Sequence, residues 1–225
     1  QAALRQRGVR VGRQRVARLM RANGLVARGP WRRRPRTTQR APAAVAAPNR
    51  LGQDFTASRP DEKWLADITY IETREGWLYL ALVLDLFSRA IVGWAMADHL
   101  QATLVESALQ MALGRRSPHG DLLHHSDQGS QYTSTLVQSL LAKHHIQVSM
   151  NGVGNCYDNA PMESFIGTLK TECADAPFAT RAEARQAIFE YIEVWYNRQR
   201  LHSSLGYLSP VAFEQRHADE IKTVR

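Results

Sequence analysis

Alternating apolar and polar positions mark the middle of the chain as β structure. Three runs, at residues 64–71, 77–86 and 90–96, are rich in the β-branched and aromatic residues that favour strands. Only short connections separate these runs, so we predict three consecutive antiparallel strands.

Helical periods and short apolar runs alternate after these strands. We predict helices at 101–113 and 134–144, and strands at 122–125 and 146–150. A helix should follow residue 159, because its apolar positions form one stripe: Met162, Phe165, Ile166, Leu169 and Cys173. The order β-β-β-α-β-α-β-α predicts an α/β fold with a mixed five-stranded sheet flanked by helices.

The C-terminal part is predicted to be helical. Thr180 and Glu183 have the spacing of a capping box, which would open a helix running to about residue 197. Ser209-Pro210 would begin a further short helix through residue 213.

Positive charge is concentrated at the N-terminus. Residues 1–53 contain 14 arginines and no acidic residue, whereas the remainder has 15 basic and 21 acidic residues, a net −6. This basic arm indicates nucleic-acid binding in preference to a solvated charged tail.

Residues 13–22 form a short amphipathic pattern within the arm. Val16, Leu19 and Met20 share one face, and the other face carries basic residues: Arg13, Arg18 and Arg21. We interpret it as the second helix of a helix-turn-helix whose first part lies upstream of residue 1; a plain surface helix is the alternative.

Four segments follow from these patterns. Residues 1–28 are predicted to be the DNA-binding segment and 29–58 a basic, Ala/Pro-rich linker containing Arg32, Arg33 and Arg34. Residues 59–178 would be the core, and 179–225 its helical extension.

Three carboxylates stand out from the predicted elements. Asp67 lies in the first strand, Asp127 follows the fourth, and Glu163 begins the helix after residue 159, with 35 residues between the last two. Clustered carboxylates repel one another unless a hard cation joins them, and oxygen ligands suit Mg²⁺ or Mn²⁺. With 21 acidic residues in the chain, this spacing alone is weak support.

Other candidate sites have simpler interpretations. Asp85 is expected to cap the turn containing Ser88 and Arg89, and the histidines do not have the spacing of a zinc site. No apolar run approaches the ~20 residues of a membrane span, and no secretory signal is recognisable, so we expect a cytosolic protein without a membrane partner.

Several motifs in one order resemble the transposases of IS3-type bacterial insertion sequences, within the retroviral-integrase-like superfamily. They include Trp64-x-x-Asp67-Ile68-Thr69-Tyr70, His125-Ser126-Asp127-x-Gly129-x-Gln131-Tyr132, and Gly154-Asn155-Cys156-Tyr157-Asp158-Asn159-Ala160-x-x-Glu163. The likeness covers about residues 9–217.

The resemblance implies an RNase H-like catalytic domain with an Asp-Asp-Glu triad at Asp67, Asp127 and Glu163. It implies two divalent ions in the reacting complex, cleavage and joining of DNA strands, and DNA contacts at Lys170 and Asn159. The implied partners are insertion-sequence ends, target DNA, further copies of the chain, and an upstream-encoded DNA-binding and dimerising segment. A bacterial, nucleoid-associated location is also implied.

Two other functions remain open from the sequence. One is a DNA-binding regulator or relic of a mobile element without activity. The other is an RNase H-like nuclease that cuts without joining.

Overall fold

A mixed five-stranded sheet forms the centre of the molecule. The computed structural model describes residues 1–26, 47–118, 120–152 and 156–223. The strand order is β3-β2-β1-β4-β5, with these bounds: β1 Lys63–Thr73, β2 Gly76–Asp85, β3 Ile91–Ala97, β4 Leu123–Ser126 and β5 Gln147–Met150. The first three strands pair antiparallel, whereas β4 is parallel to both β1 and β5, which confirms the predicted mixed sheet.

Helices cover both faces of this sheet. Their bounds are α3 Ala102–Arg116, α4 Thr135–Lys143, α5 Ala160–Glu172, α6 Arg181–Phe189 and α7 Pro210–Thr223, preceded in the arm by α1 Ala2–Gln6 and α2 Arg13–Ala22. The side chains of β1 alternate between two cores. Trp64 and Ala66 pack in the core with α3 and α4, whereas Leu65 packs in the core with α5 and α6.

The edge of β1 is divided between a strand and a helix. In the described residues β4 pairs with β1 through Lys63, Trp64 and Leu65, and α5 contacts β1 as well. The C-terminal half of β1 therefore extends past its parallel neighbour, which brings the strand carrying Asp67 close to the helix carrying Glu163.

The predicted helix over 180–197 is two different segments in the structure. Thr180 caps α6 as expected, since its hydroxyl accepts from the Glu183 N–H. The chain then changes to a π-helical segment, Glu190–Tyr196. The last predicted helix is also longer than expected, because α7 continues to Thr223.

Asn197 joins this C-terminal region to the sheet. Its buried side-chain amide accepts from the N–H of Ile91 at 2.9 Å and donates to the carbonyl of the same residue at 2.9 Å. Because both groups on β3 depend on this one side chain, the residues after α6 are part of the folded core.

The predicted linker is partly wrong. Residues 47–58 pack on the core that contains α5 and α6, with Leu51 only 3% exposed and Phe55 and Ala57 against the same core. Their apolar side chains are isolated in the sequence, so they form neither a helical nor a strand pattern that would have predicted their burial. Arg32, Arg33 and Arg34 lie outside the described residues.

The arm contains two short helices. The predicted helix over 13–22 is confirmed as α2, and it has no buried residue. α1 precedes it, and Gln6 in α1 donates to the carbonyl of Tyr207 at 3.1 Å. All seven arginines in residues 1–26 are exposed. Within the described part of the chain, no helix is long and apolar enough to cross a bilayer.

Candidate active site

Asp67 lies in β1 on the face shared with Leu65, the face that α5 covers. Its Oδ1 accepts from the N–H of Ile68 at 2.8 Å, which fixes the carboxylate close to the strand. Burial, with smaller contributions from the negative charges of Asp127 and Glu163, raises the pKa of Asp67 to about 7. A carboxylate in this setting favours either a proton or a cation.

Asp127 follows the last residue of β4 and is partly exposed. Its Oδ1 accepts from the N–H of Gly129 at 2.9 Å. A Cβ added at Gly129 would lie 2.9 Å from that same Oδ1, so only glycine fits without displacing the carboxylate. The Gly129 position thus accounts for the glycine in the Asp-x-Gly motif.

Glu163 lies in the first turn of α5, where Pro161 is compatible with helix initiation. The start of this helix is tied to β1, because Asn159 Nδ2 donates to the carbonyl of Ala66 at 3.4 Å. Ala66 directly precedes Asp67. One side chain thereby connects the strand of the first carboxylate to the helix of the third.

Lys170 lies two turns further along α5 and reaches the same region. Its Nζ is 4.4 Å from the ring centroid of Tyr70, a cation–π contact. Burial lowers the pKa of Lys170, while the carboxylate of Asp67 acts in the opposite direction. The ammonium is therefore close to the carboxylates, as expected for residues seven apart on one helix.

The three carboxylates are electrostatically coupled but are not assembled as a complete metal centre. Among the described residues, no group of three or more histidine, cysteine, aspartate or glutamate side chains is close enough to hold a metal ion. The donor set nonetheless fits a hard divalent cation, because it contains only carboxylate oxygens and Asp67 is repelled by two neighbouring carboxylates, an effect that Lys170 opposes. Binding a cation would require these side chains to move closer together.

Two buried aromatic side chains lie beneath the carboxylates. Tyr132 is 2% exposed, and burial raises its pKa, with further contributions from Asp67 and Asp127. His124 lies 6.2 Å from it, ring centroid to ring centroid. Both ring nitrogens of His124 are buried and have no hydrogen-bond partner among the residues that the structure describes, and burial lowers the pKa of His124 to about 4.

Two further predictions have clear structural outcomes. Asp85 caps its turn as expected, since its Oδ2 accepts from the N–H and hydroxyl of Ser88 at 2.9 and 2.8 Å. Asn159 is 4% exposed and donates to the Ala66 carbonyl, so it links the start of α5 to β1, and a DNA contact at this residue stays a prediction.

Asp158 belongs to the motif that ends at Glu163, but its contacts could not be predicted from the sequence. This carboxylate is buried and accepts from Asn49, Gln53 and Gly152. An isolated aspartate in a polar run carries no periodic signal, and two of its partners, Asn49 and Gln53, lie 109 and 105 residues away along the chain.

Comparison with known proteins gives a consistent result. Residues 57–156 and 144–210 match two families described as "Integrase core domain", and residues 1–35 match "HTH-like domain". The chain is 48% identical to the transposase for insertion sequence element IS904 of Lactococcus lactis over 213 residues, covering 94% of this chain and 84% of the relative. It is 45% identical to transposase InsF for insertion sequence IS3A of Escherichia coli, covering 95% of this chain and 74% of the relative.

Solved structures show the same fold at low sequence identity. The catalytic core domain of HTLV-2 integrase, in complex with magnesium, aligns with a TM-score of 0.53 and 18% identity over 71% of this chain and 99% of that one. A chain of the simian T-cell lymphotropic virus intasome aligns with a TM-score of 0.59 and 16% identity, covering 95% of this chain and 70% of that one.

Proposed function

Because this chain belongs to the family of insertion-sequence transposases with an integrase core domain, we propose that Asp67, Asp127 and Glu163 form its metal-dependent catalytic centre. The family assigns the chain to DNA transposition. The positions of the three carboxylates support a location for the chemistry at the junction of β1, β4 and α5.

Strand transfer conserves the number of phosphodiester bonds. The 3′-hydroxyl oxygen at the end of one DNA strand forms a new P–O bond, and the 3′-oxygen of the target strand leaves. No external energy source is required, so the enzyme has to position the strands and stabilise charge.

Asp67, Asp127 and Glu163 would hold the divalent ions, Mg²⁺ or Mn²⁺, with two in the reacting complex. When bound, these ions supply activation of an attacking water or 3′-hydroxyl and stabilisation of the leaving oxygen. The Ile68 and Gly129 N–H groups each donate to one carboxylate oxygen, of Asp67 and Asp127 respectively.

Lys170 is placed to bind a DNA phosphate beside the carboxylates. Its ammonium lies over Tyr70, and a charge-assisted bond to a phosphate oxygen is stronger than a neutral one. The family resemblance implies a DNA contact at Lys170, and the proximity of Lys170 to Asp67 supports that role.

The arginine arm would supply affinity for the DNA duplex. Arg13, Arg18 and Arg21 are exposed on α2, and the first 53 residues contain no acidic side chain. Contacts of this kind release counterions from DNA and so depend strongly on salt. Insertion-sequence ends and target DNA are the proposed substrates, bound by more than one copy of the chain because two ends must be joined.

The observation that carries this proposal is the placement of the three carboxylates on adjoining elements: Asp67 in β1, Asp127 directly after the parallel strand β4, and Glu163 in α5, which contacts β1. The charges of Asp127 and Glu163 also raise the pKa of Asp67. Three carboxylates from β1, the residue after β4, and α5 are near enough to interact, although their sequence positions span 96 residues (163 − 67). A DNA-binding regulator without activity has no need of this arrangement.

A strand-transfer assay tests the proposal. Labelled duplexes carrying the terminal repeat that flanks the coding sequence of this chain would be incubated with plasmid DNA and Mg²⁺. We expect wild type to join the strands and Asp127→Asn to lose at least about 100-fold, as for removal of a charged catalytic ligand. The control is Asp54→Asn, an exposed carboxylate bonded to Lys63.

Three results would overturn the proposal. Equal joining by Asp127→Asn would remove this residue from the mechanism. Cleavage without joining by wild type would favour the nuclease, and DNA binding without either reaction would favour the regulator.

A further inference from the structure

Residues 49–53 are held against the catalytic core by a set of hydrogen bonds that the proposed chemistry does not use. Two of these bonds end on the buried carboxylate of Asp158, from Asn49 Nδ2 at 2.9 Å and Gln53 Nε2 at 3.0 Å. Asp158 also accepts from the N–H of Gly152 at 3.0 Å. A buried carboxylate with several donors is costly to disturb, because every lost partner leaves charge unsatisfied.

The same segment is fixed at a second place. Ser149, in β5, accepts through its hydroxyl from the N–H groups of Arg50 and Leu51 at 2.9 and 3.2 Å. That hydroxyl also contacts His125 Nδ1 at 2.8 Å. Leu51 is buried in the core shared with α5. The segment therefore has both polar and apolar attachments to the elements around the active site.

The backbone of Gln53 supports a constrained arrangement. Its φ is 62°, in the left-handed region that non-glycine residues rarely adopt. Residues in this region persist where surrounding contacts determine the conformation. Here the side-chain bond to Asp158 is such a contact, although Gln53 itself is exposed.

Asp158 stands directly before the helix of the third carboxylate. It belongs to the 3₁₀ turn Cys156–Asn159, which leads into α5, and Glu163 follows five residues later. The next residue, Asn159, donates to the carbonyl of Ala66. The start of α5 is thus held on one side by residues 49–53 and on the other by the strand of Asp67.

We propose that Asp158 is a positioning residue that couples residues 49–53, the part of the chain entering from the basic arm, to the placement of Glu163. The proposal rests on the assignment of Glu163 to the catalytic centre. The carboxylates have to move closer together to hold a cation, and the position of the start of α5 would determine how close Glu163 comes to the other two. DNA bound by the arm would then act on the active site through Asn49 and Gln53.

An exchange of partners tests this coupling. In Asp158→Asn an NH2 group replaces one acceptor oxygen, so Asn49, Gln53 and Gly152 have a single side-chain oxygen to donate to, and in Asn49→Asp two carboxylates face one another. The double variant Asn49→Asp/Asp158→Asn restores one donor and one acceptor, although Gly152 loses its acceptor. Asp54→Asn is the matched control, because Asp54 lies in the same chain region but bonds to Thr56 and Lys63.

Hydrogen exchange of the metal-free full chain provides a readout independent of activity. Each single variant should exchange faster in two peptides, 47–55 and 157–166. The double variant should return towards wild type, and the control should remain near wild type. Faster exchange in 47–55 alone would show that the segment is attached without influencing α5, and would overturn the proposal. Equal exchange in the double and single variants would overturn it as well.

The Mg²⁺ dependence of strand transfer separates positioning from loss of folded protein. A misplaced ligand raises the Mg²⁺ concentration for half-maximal joining, by about 10-fold to 100-fold for a lost supporting contact. Partial unfolding lowers the rate equally at every Mg²⁺ concentration, which would contradict the proposal. If Asp127→Asn retains full activity, the catalytic assignment fails, whereas the exchange experiment still tests the coupling.

If Asp158→Asn does not fold by circular dichroism, Asn49→Asp carries the test alone. Asn49 is exposed, so its substitution leaves the core intact. Unchanged exchange in 157–166 and an unchanged Mg²⁺ requirement in that variant would then overturn the proposal.

Discussion

Metal binding should strengthen about tenfold between pH 6 and pH 8. The proposed first ligand, Asp67, has a pKa raised to about 7 by burial and by the charges of Asp127 and Glu163. A proton and a cation compete for this carboxylate. The apparent dissociation constant therefore contains the factor 1 + 10^(pKa − pH), which is roughly 11 at pH 6 and roughly 1.1 at pH 8. A carboxylate with its ordinary pKa would give no change in this range.

Calorimetric titration of the full chain with Mn²⁺ at pH 6, 7 and 8 measures this directly. The affinity should rise with pH, and about half a proton should be released per ion at pH 7. Asp67→Asn should remove binding, and Asp54→Asn should keep the same pH profile as wild type. An identical dissociation constant at pH 6 and pH 8 would refute the argument that Asp67 is buried among like charges.

Stability should show the corresponding sign in the absence of metal. The folded state binds the proton of Asp67 more tightly than the unfolded state, so this group favours folding at acid pH. That contribution is fully present below about pH 4 and is lost as the pH rises through about 7. Asp67→Asn should therefore flatten this part of the pH dependence of the melting temperature.

Four other substitutions test the packing of the fold and the geometry of the site. Gly93→Ala should lower the free energy of unfolding by at least about 2 kcal/mol, because a Cβ there would lie 2.2 Å from the Ala108 carbonyl oxygen of α3. Gly114→Ala, where a Cβ would meet open space, should raise it by up to about 1 kcal/mol. Urea unfolding measures both, and equal effects would contradict the close approach of β3 to α3. His124→Leu should remove a destabilisation of the folded state that grows to roughly 3 kcal/mol as the pH falls from 6.5 to 4, because in this range the histidine is protonated in the unfolded state but stays neutral in the folded state. Parallel pH profiles of unfolding for wild type and variant would contradict this. Gly129→Ala should reduce strand transfer on the order of 100-fold by displacing the Asp127 carboxylate, with a nearly unchanged melting temperature; normal joining would show that the carboxylate tolerates the shift.

The sheet and its helices were predictable because burial imposes a period on the sequence. The three runs read as strands became β1, β2 and β3 with their ends moved by only a few residues. The apolar stripe of α5 was also correct, with Met162, Phe165 and Leu169 buried. Each of these elements packs one face on a core, and this requires apolar residues at regularly spaced positions along the sequence.

The segment at 47–58 was missed because its burial is not periodic. Leu51 and Phe55 enter the core singly from an extended chain, and the composition around them resembles a linker. The π-helical segment after α6 was missed for another reason. A single change in helical hydrogen bonding at Glu190 leaves the apolar pattern nearly intact.

The residues of the candidate site were predicted from sequence motifs, whereas the contacts that support them were found only in the structure. The positions of Asp67 and Glu163 followed from the family resemblance and the predicted elements. The bonds from Asn49 and Gln53 to Asp158 join residues more than 100 positions apart, and no local rule relates them. Such long-range polar contacts are specified by the folded arrangement alone.

The most direct test of the central claim is anomalous diffraction from crystals of the full chain grown with a terminal-repeat duplex and Mn²⁺. The account predicts a Mn²⁺ peak bonded to carboxylate oxygens of both Asp67 and Asp127 at about 2.2 Å, with Glu163 on the same cluster and a DNA phosphate oxygen opposite. A peak bound elsewhere, or Glu163 remaining apart from the other two carboxylates with DNA in place, would contradict it.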